Sequence, residues 1–301
     1  MRTLHRSAVL LILSVVTACG ASATSDTINE HGVPEALRVG VVPNIAPDKQ
    51  SARYEPLKDY LETTLSTKVE LFVATDYAGV VAALAAERVD LAYLGGLTYA
   101  QAKAQVDVRP LVTEIDKETG TKEYLSGIIV RNDSPYQNVK DVVTGKGTFA
   151  FGDISSTSGS LYPRMMLNSA GATCSASTID QCPPLKKVAF TGGHDATAQA
   201  VANGSADAGG IEVRILHRLE REGKIPKGSL RIVGSELVMG YPWVIRAALG
   251  DRAADAITTA FMEIEQPELL DLLQTSGYQR VTDTDYASIE QHAVQLGLLT
   301  P

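Results

Sequence analysis

The sequence predicts an α/β protein of two lobes, each a mixed sheet covered by helices. Three observations lead there. Extended β-branched runs alternate with segments of helical period, as in a mostly parallel sheet packed under helices. The chain has 301 residues and is 45% hydrophobic, more than one core usually takes, so two lobes are expected. Turns rich in glycine or hydroxyls recur where strands hand over to helices, which is where open α/β sheets bind ligands.

In chain order, "LRVGVVPN" (Leu37 to Asn44) is a strand stopped by proline and asparagine. "YEPLKDYLETTL" places Leu57, Tyr60, Leu61 and Leu65 at helical spacing. "KVELFVAT" is a second strand. "DYAGVVAALAAERV" opens with Asp76 as a helix N-cap and continues as an alanine-rich helix. "DLAYLG" is a third strand, and "GLTYAQAKAQ" opens another helix. "EYLSGIIVRNDS" (Glu123 to Ser134) is a longer strand ending in turn residues. "VKDVVTGKGTFAFGD" holds a short helix, a loop and a strand. "GDISSTSGSLYPRMML" follows as a hydroxyl-rich turn into a helix. "KKVAFTGGHDATAQAVANGSADAGGIE" reads strand, glycine turn, helix, turn, strand. "LRIVGSELVMGYPWVIRAAL" supplies two extended pieces. From Asp251 onward the pattern is helical, with Ile257, Phe261, Leu269, Leu272 and Leu273 facing inward. Residues 35–126 and 241–301 are assigned to lobe one and residues 127–240 to lobe two.

The N-terminus reads as an export signal over residues 1–18. Arg2, His5 and Arg6 precede an apolar run from Ala8 to Val16 that is too short to span a bilayer. "VTAC" then places small residues before Cys19, as in a lipobox, where the cysteine is lipidated. A plain secretory peptide with an incidental cysteine is the alternative. Residues 19–34 are small and polar and read as a tether. Cys174 and Cys182 remain as an even pair in an exported chain, which reads as a disulfide. The net charge of −8 argues against nucleic acid, which needs a clustered basic face. No catalytic motif of the G-x-S-x-G, H-E-x-x-H, C-x-x-C or P-loop kind is found, so no enzyme, metal or cofactor is expected.

The three helix-opening turns carry the candidate chemistry. Ser156, Thr157 and Ser158 stand before Gly159 at a helix start, where free N–H groups and the dipole suit an anion. One serine suffices for a cap, so the run exceeds that need and leaves cap and anion cradle as competing readings. Gly192, Gly193, His194 and Asp195 form a second such turn, and Gly95, Gly96, Thr98 and Tyr99 a third. Together they look like one converging pocket. Arg164 and Arg214 are open between cationic partners of the ligand and surface positions.

"TDYAGVVAAL", "STSGSLYPR", "GGHDATAQAVANGSADAGGIE" and "YEPLKDYLE" resemble the phosphonate, phosphite and phosphate periplasmic binding proteins of ABC importers. The resemblance runs from about Leu37 to Asp283. It implies a type II periplasmic binding protein, with two α/β lobes on a hinge of crossover strands and the ligand in the cleft. It places Tyr77, Tyr124, Ser156, Thr157, Ser158, His194 and Glu212 at ligand-binding positions, each a hydrogen-bonding group. Relatives that bind protonated phosphorus oxyanions usually carry an acid in the late crossover segment. Here that segment has Tyr241 and Trp243, and Trp243 is read as pocket wall with a core position as the alternative. The "GGLTYAQA" turn looks more like a branch assigned to selenate or arsenic species. The implied function is a lipid-anchored binding protein that delivers a small tetrahedral oxyanion to an ABC permease. A periplasmic sensor partnered with a histidine kinase is the alternative, as is selenate or an arsenic oxyanion for the ligand.

Overall fold

Strand pairing decides which loops of this chain meet. The structure is a computed structural model describing residues 28–299. The signal segment and Cys19 lie outside them.

The chain first lays down β1 (Ala36–Val41), α1 (Pro47–Leu65), β2 (Lys68–Val73), α2 (Tyr77–Ala85), β3 (Leu91–Tyr93), α3 (Gly96–Lys103) and β4 (Val108–Asp116). It then crosses to β5 (Glu123–Arg131), α4 (Val139–Thr144), β6 (Thr148–Phe151), α5 (Tyr162–Ser169), β7 (Lys187–Phe190), α6 (His194–Ala202), β8 (Ala208–Glu212), α7 (Val213–Arg221) and β9 (Leu230–Met239). It returns as β10 (Pro242–Arg246), α8 (Gly250–Met262), α9 (Pro267–Leu273), β11 (Thr275–Arg280) and α10 (Ala287–Gln295). Among the described residues this makes one six-stranded sheet, in order β11-β4-β10-β3-β1-β2, and one five-stranded sheet, in order β7-β6-β8-β5-β9.

Both sheets are mixed. β1 runs parallel to β2 and β3, while β10 pairs antiparallel to β3 and β4. In the second sheet β6 is parallel to β7 and β8, and β5 is antiparallel to β8 and β9. The carboxyl ends of β1, β3, β6 and β8 therefore lead into the loops that meet between the lobes. The two crossings lie between Asp116 and Glu123 and between Met239 and Pro242, and Gly240 N–H donates to Lys122 O where they pass.

Local chemistry accounts for the boundaries. α1 begins at Pro47, ahead of the periodic run, because proline fits a first helical turn that needs no N–H. Asp76 caps α2 by accepting from Gly79 N–H at 2.8 Å. Two strands were not anticipated. β4 contains Pro110, which speaks against a central strand, yet it pairs on both sides. β11 replaces part of the expected helical C-terminus and lies at the sheet edge, where polar residues and Gly277 are tolerated. Leu272 is only half-buried, whereas Leu269 and Leu273 join the core. Asn29 donates its side-chain amide to Leu65 O, so the chain is already docked on the first lobe before β1. Cys174 and Cys182 are bonded and buried beside α5.

Candidate functional site

β6 ends at Phe151, and the chain turns through Gly152 to Ser156 into a π-helical turn, Thr157–Leu161, that runs on into α5. Asp153 stiffens this loop by accepting Ser155 N–H at 2.7 Å. The three hydroxyl residues are all buried, and each does something different. Ser156 Oγ accepts from Gly159 N–H at 3.0 Å, the ordinary N-cap bond. Thr157 Oγ1 accepts from Leu97 N–H of the opposite lobe at 2.9 Å. Ser158 Oγ and the Tyr124 hydroxyl lie close enough to interact with each other, but neither makes a well-formed hydrogen bond to the protein. The first N–H groups of the turn, those of Thr157 and Ser158, have no intrahelical acceptor by construction.

Gly159 lets a histidine close in on this turn. A Cβ there would lie 2.9 Å from Ser156 Oγ and 3.1 Å from His194 Cε1. His194 opens α6, and its backbone N–H donates to Asn44 O across the cleft at 2.9 Å. Its Nδ1 accepts Glu212 N–H at 3.3 Å, which assigns the ring proton to Nε2. Burial pushes its pKa down to about 4, so the ring is a neutral donor near neutral pH. Nε2 has no hydrogen-bond partner and lies 3.9 Å from Glu212 Oε2.

Glu212 ends β8 with its carboxylate turned into the cleft. Oε2 accepts from the Tyr241 hydroxyl at 2.9 Å, and Oε1 accepts from Arg214 Nε. Burial pushes this carboxyl up, but the Arg214 charge and the hydrogen bonds from Arg214 and Tyr241 outweigh it and hold the group below its usual range. Tyr77 contributes from the start of α2, with its hydroxyl near Ser156, and its N–H donates to Asp153 Oδ2 at 3.2 Å. Burial raises the hydroxyls of Tyr77, Tyr124 and Tyr241, so all stay protonated and can donate.

Tyr77, Tyr124, Ser156, Thr157, Ser158, His194 and Glu212 are thus brought to one place, with Ser158 Oγ, Tyr124 OH and His194 Nε2 left as buried polar atoms without partners. Unpaired buried donors are costly, and several around one point fit an acceptor-rich guest such as an oxyanion. Among the described residues no three His, Cys, Asp or Glu side chains are grouped to hold a metal.

Four expected residues lie elsewhere. Thr98 Oγ1 donates to Ser155 O at 3.0 Å, so it joins lobe to lobe. Asp195 is a rim residue that accepts Ala46 N–H at 3.4 Å and pairs with Lys49. Tyr99 points away: its hydroxyl meets Asp283 and its ring packs on Tyr286 at 5.2 Å. Trp243 is fully buried in the first lobe, 5.1 Å from the Tyr93 ring and 4.7 Å from Phe261, because β10 is a central strand there. Arg164 is buried too, but it stacks on Phe151 and donates to Ile179 O behind the turn. Arg214 was legible only as a charge of open placement. Tyr93, stacked on Tyr241 at 5.0 Å, gave no signal beyond its strand.

The chain is 32% identical over 261 residues to the phosphate-import protein PhnD of Mycolicibacterium smegmatis, covering 85% of this chain and 80% of that protein. It is 28% identical over 267 residues to the phosphonates-binding periplasmic protein of Escherichia coli, covering 86% and 76%. Its fold matches the solved structure of PhnD1 from Prochlorococcus marinus in complex with methylphosphonate, with a TM-score of 0.77, 24% identity and coverage of 88% of this chain and 99% of that one. Residues 39–286 match the family described as ABC transporter, phosphonate, periplasmic substrate-binding protein, and the chain belongs to that family.

Proposed function

We propose that this protein is the lipid-anchored solute-binding component of an ABC importer and that it holds a small tetrahedral phosphorus oxyanion, a phosphonate, phosphite or phosphate, between its lobes. No bond is made or broken. The ligand is buried among oriented donors as the lobes close on it. Lipid anchoring rests on Cys19 after "VTA" at the end of a short apolar run.

The observation that carries the ligand class is the buried Glu212 carboxylate 3.9 Å from the unpartnered donor His194 Nε2 and near the Tyr124 hydroxyl, which itself lies beside Ser158 Oγ. Neutral donors suit any tetrahedral oxyanion. A carboxylate among them accepts hydrogen bonds and repels a bare oxyanion, so it favours a ligand that still carries an O–H. Phosphorus oxyanions keep such a proton near neutral pH, whereas sulfate and selenate do not. Glu212 takes the part of the acid missing at Tyr241 in the late crossover segment. The relatives named for phosphate and for phosphonates support the same class.

Isothermal titration with phosphite and with selenate at about pH 6 and about pH 9 tests the reading. Phosphite should bind at the lower pH and weaken at the higher, and selenate should bind poorly at both. Selenate binding as well as phosphite would overturn the phosphorus assignment. No binding of any tetrahedral oxyanion at millimolar concentration would overturn the class.

A further inference from the structure

Behind Glu212 lies a buried charge cluster that the ligand site does not itself use. Arg214 stands on the first turn of α7. Its Nε donates to Glu212 Oε1, and its Nη2 donates to Glu114 Oε2 at 3.3 Å and to Tyr93 OH at 3.5 Å. Its Nη1 lies 3.5 Å from Asp116 Oδ2. Tyr93 OH in turn donates to Glu114 Oε1 at 2.6 Å. One guanidinium thus meets three carboxylates, one on its own lobe and two on β4 of the other. All of them are buried, and Arg214 and Asp116 form the inner wall of an open pocket of about 430 Å³ whose rim carries Lys117, Glu118 and Asp271.

The cluster is held from every side. Arg53 and Tyr54 face it from α1, Arg218 from α7, His194 from α6, Tyr77 from α2, Tyr124 from β5, Tyr241 from the segment before β10, and Tyr278 from β11. Of the other cations, Arg53 donates to Leu272 O, and Arg218 Nη1 donates to Gln274 Oε1 at 2.7 Å while its Nη2 is buried without a partner. Arg214 is the cation that touches Glu212. A guanidinium presents its donors in a fixed fork, so the Nη2 bonds to Glu114 and Tyr93, with the Asp116 charge near Nη1, aim Nε at Glu212.

We propose that Arg214 is a positioning residue that sets the ligand specificity of this site, keeping the closed-in Glu212 an ionised acceptor so that the ligand must bring an O–H. The proposal rests on the phosphorus-oxyanion reading above. Without the guanidinium, closing the lobes would bury Glu212 and Glu114 with Asp116 and an anionic ligand, and Glu212 would lose the one cation bonded to it, leaving Arg218 and Arg53 as nearby charges only. Glu212 would then take up a proton, turn from acceptor to donor, and admit anions that carry none.

Titration of wild type, Arg214→Gln and Arg214→Lys with phosphite and with sulfate, at several pH values, tests it. Wild type should prefer phosphite and lose it as pH rises. Arg214→Gln should lower the phosphite-over-sulfate preference at least about tenfold, the scale of one hydrogen bond to a charged group, and should shift the pH profile for phosphite upward. Arg214→Lys keeps the charge and should keep the preference while binding both anions more weakly. If Arg214→Gln does not fold, Arg214→Gln with Glu114→Gln and Asp116→Asn carries the same expectation, because the two opposing charges are removed with it. Arg214→Gln or the triple variant weakening both anions by the same factor, with the pH profile unchanged, would overturn the proposal. Wild type binding neither anion would overturn the phosphorus-oxyanion reading on which it rests.

Discussion

Ser156, Thr157 and Ser158 show how three neighbouring hydroxyls divide their work. Ser156 is spent on the cap and Thr157 on Leu97 of the other lobe, so Ser158 is the one with its oxygen free. Ser158→Ala should weaken oxyanion binding roughly tenfold or more, since a hydrogen bond to a charged group contributes about 1.5–3 kcal/mol. Unliganded stability should hold or rise slightly, because the variant removes a buried polar atom without a partner. Titration and a thermal melt check both halves, and equal affinity would return the turn to a plain cap. The place of this serine and of His194 at helix-opening turns was legible because such turns have a local signature of small donors at a helix start. Tyr99 was misread for a geometric reason: one residue along a helix turns the side chain by about 100°, so the neighbour of Thr98 faces Asp283 and not the cleft. The partners of Arg214 had no local signature, as Glu114 lies 100 positions away and only folding brings the two together.

At the scale of elements, the lobes hold each other through helix N-termini. Asp195 accepts Ala46 N–H just before α1, Asp153 accepts Tyr77 N–H of α2, and Thr157 accepts Leu97 N–H of α3, so three helices of one lobe are capped by side chains of the other. These bonds exist only while the lobes are together. An N-cap substitution costs about 1 kcal/mol. Asp153→Ala loses this bond and the Ser155 N–H bond in the hydroxyl turn, so it should weaken every anion by at least about fivefold and speed its release, with the pH profile and the order of preference unchanged. Stopped-flow release and titration measure this, and unchanged affinity would show that the α2 contact contributes nothing to closure. The caps themselves were readable only in part. Asp76 was recognised at α2 because its partner is three residues on, whereas capping across the cleft leaves no spacing in the sequence. The same limit hid β4 and β11. Pro110 disguises the first, and an edge position relieves the second of the hydrophobic alternation that marks a strand.

For the whole molecule, the decisive quantity is the balance between the closed and open arrangements of two lobes. The length and the strand-helix alternation made two lobes legible, but how tightly they shut is a property of contacts between distant residues. In the closed arrangement Ser158 Oγ, Tyr124 OH and His194 Nε2 are buried without protein partners. Each costs about 1–3 kcal/mol when left unsatisfied, against about 0.5–1.5 kcal/mol gained by each ordinary bond across the cleft. The two sets are similar in size and opposite in sign, so on the function proposed above an oxyanion that satisfied all three at once would tip the balance. The two crossings between Asp116 and Glu123 and between Met239 and Pro242 are short and adjacent, which permits a hinge motion without repacking either sheet. Small-angle scattering should therefore show a smaller radius of gyration with saturating phosphite than without it. The melting transition should rise in parallel, by about 2.7 kcal/mol of stability at a ligand concentration 100 times Kd. Ser158→Ala should need more phosphite to reach the same compact radius, because the guest then satisfies one group fewer. Identical scattering with and without a ligand that calorimetry shows to be bound would mean the lobes are shut beforehand, and that the unpartnered donors do not govern closure.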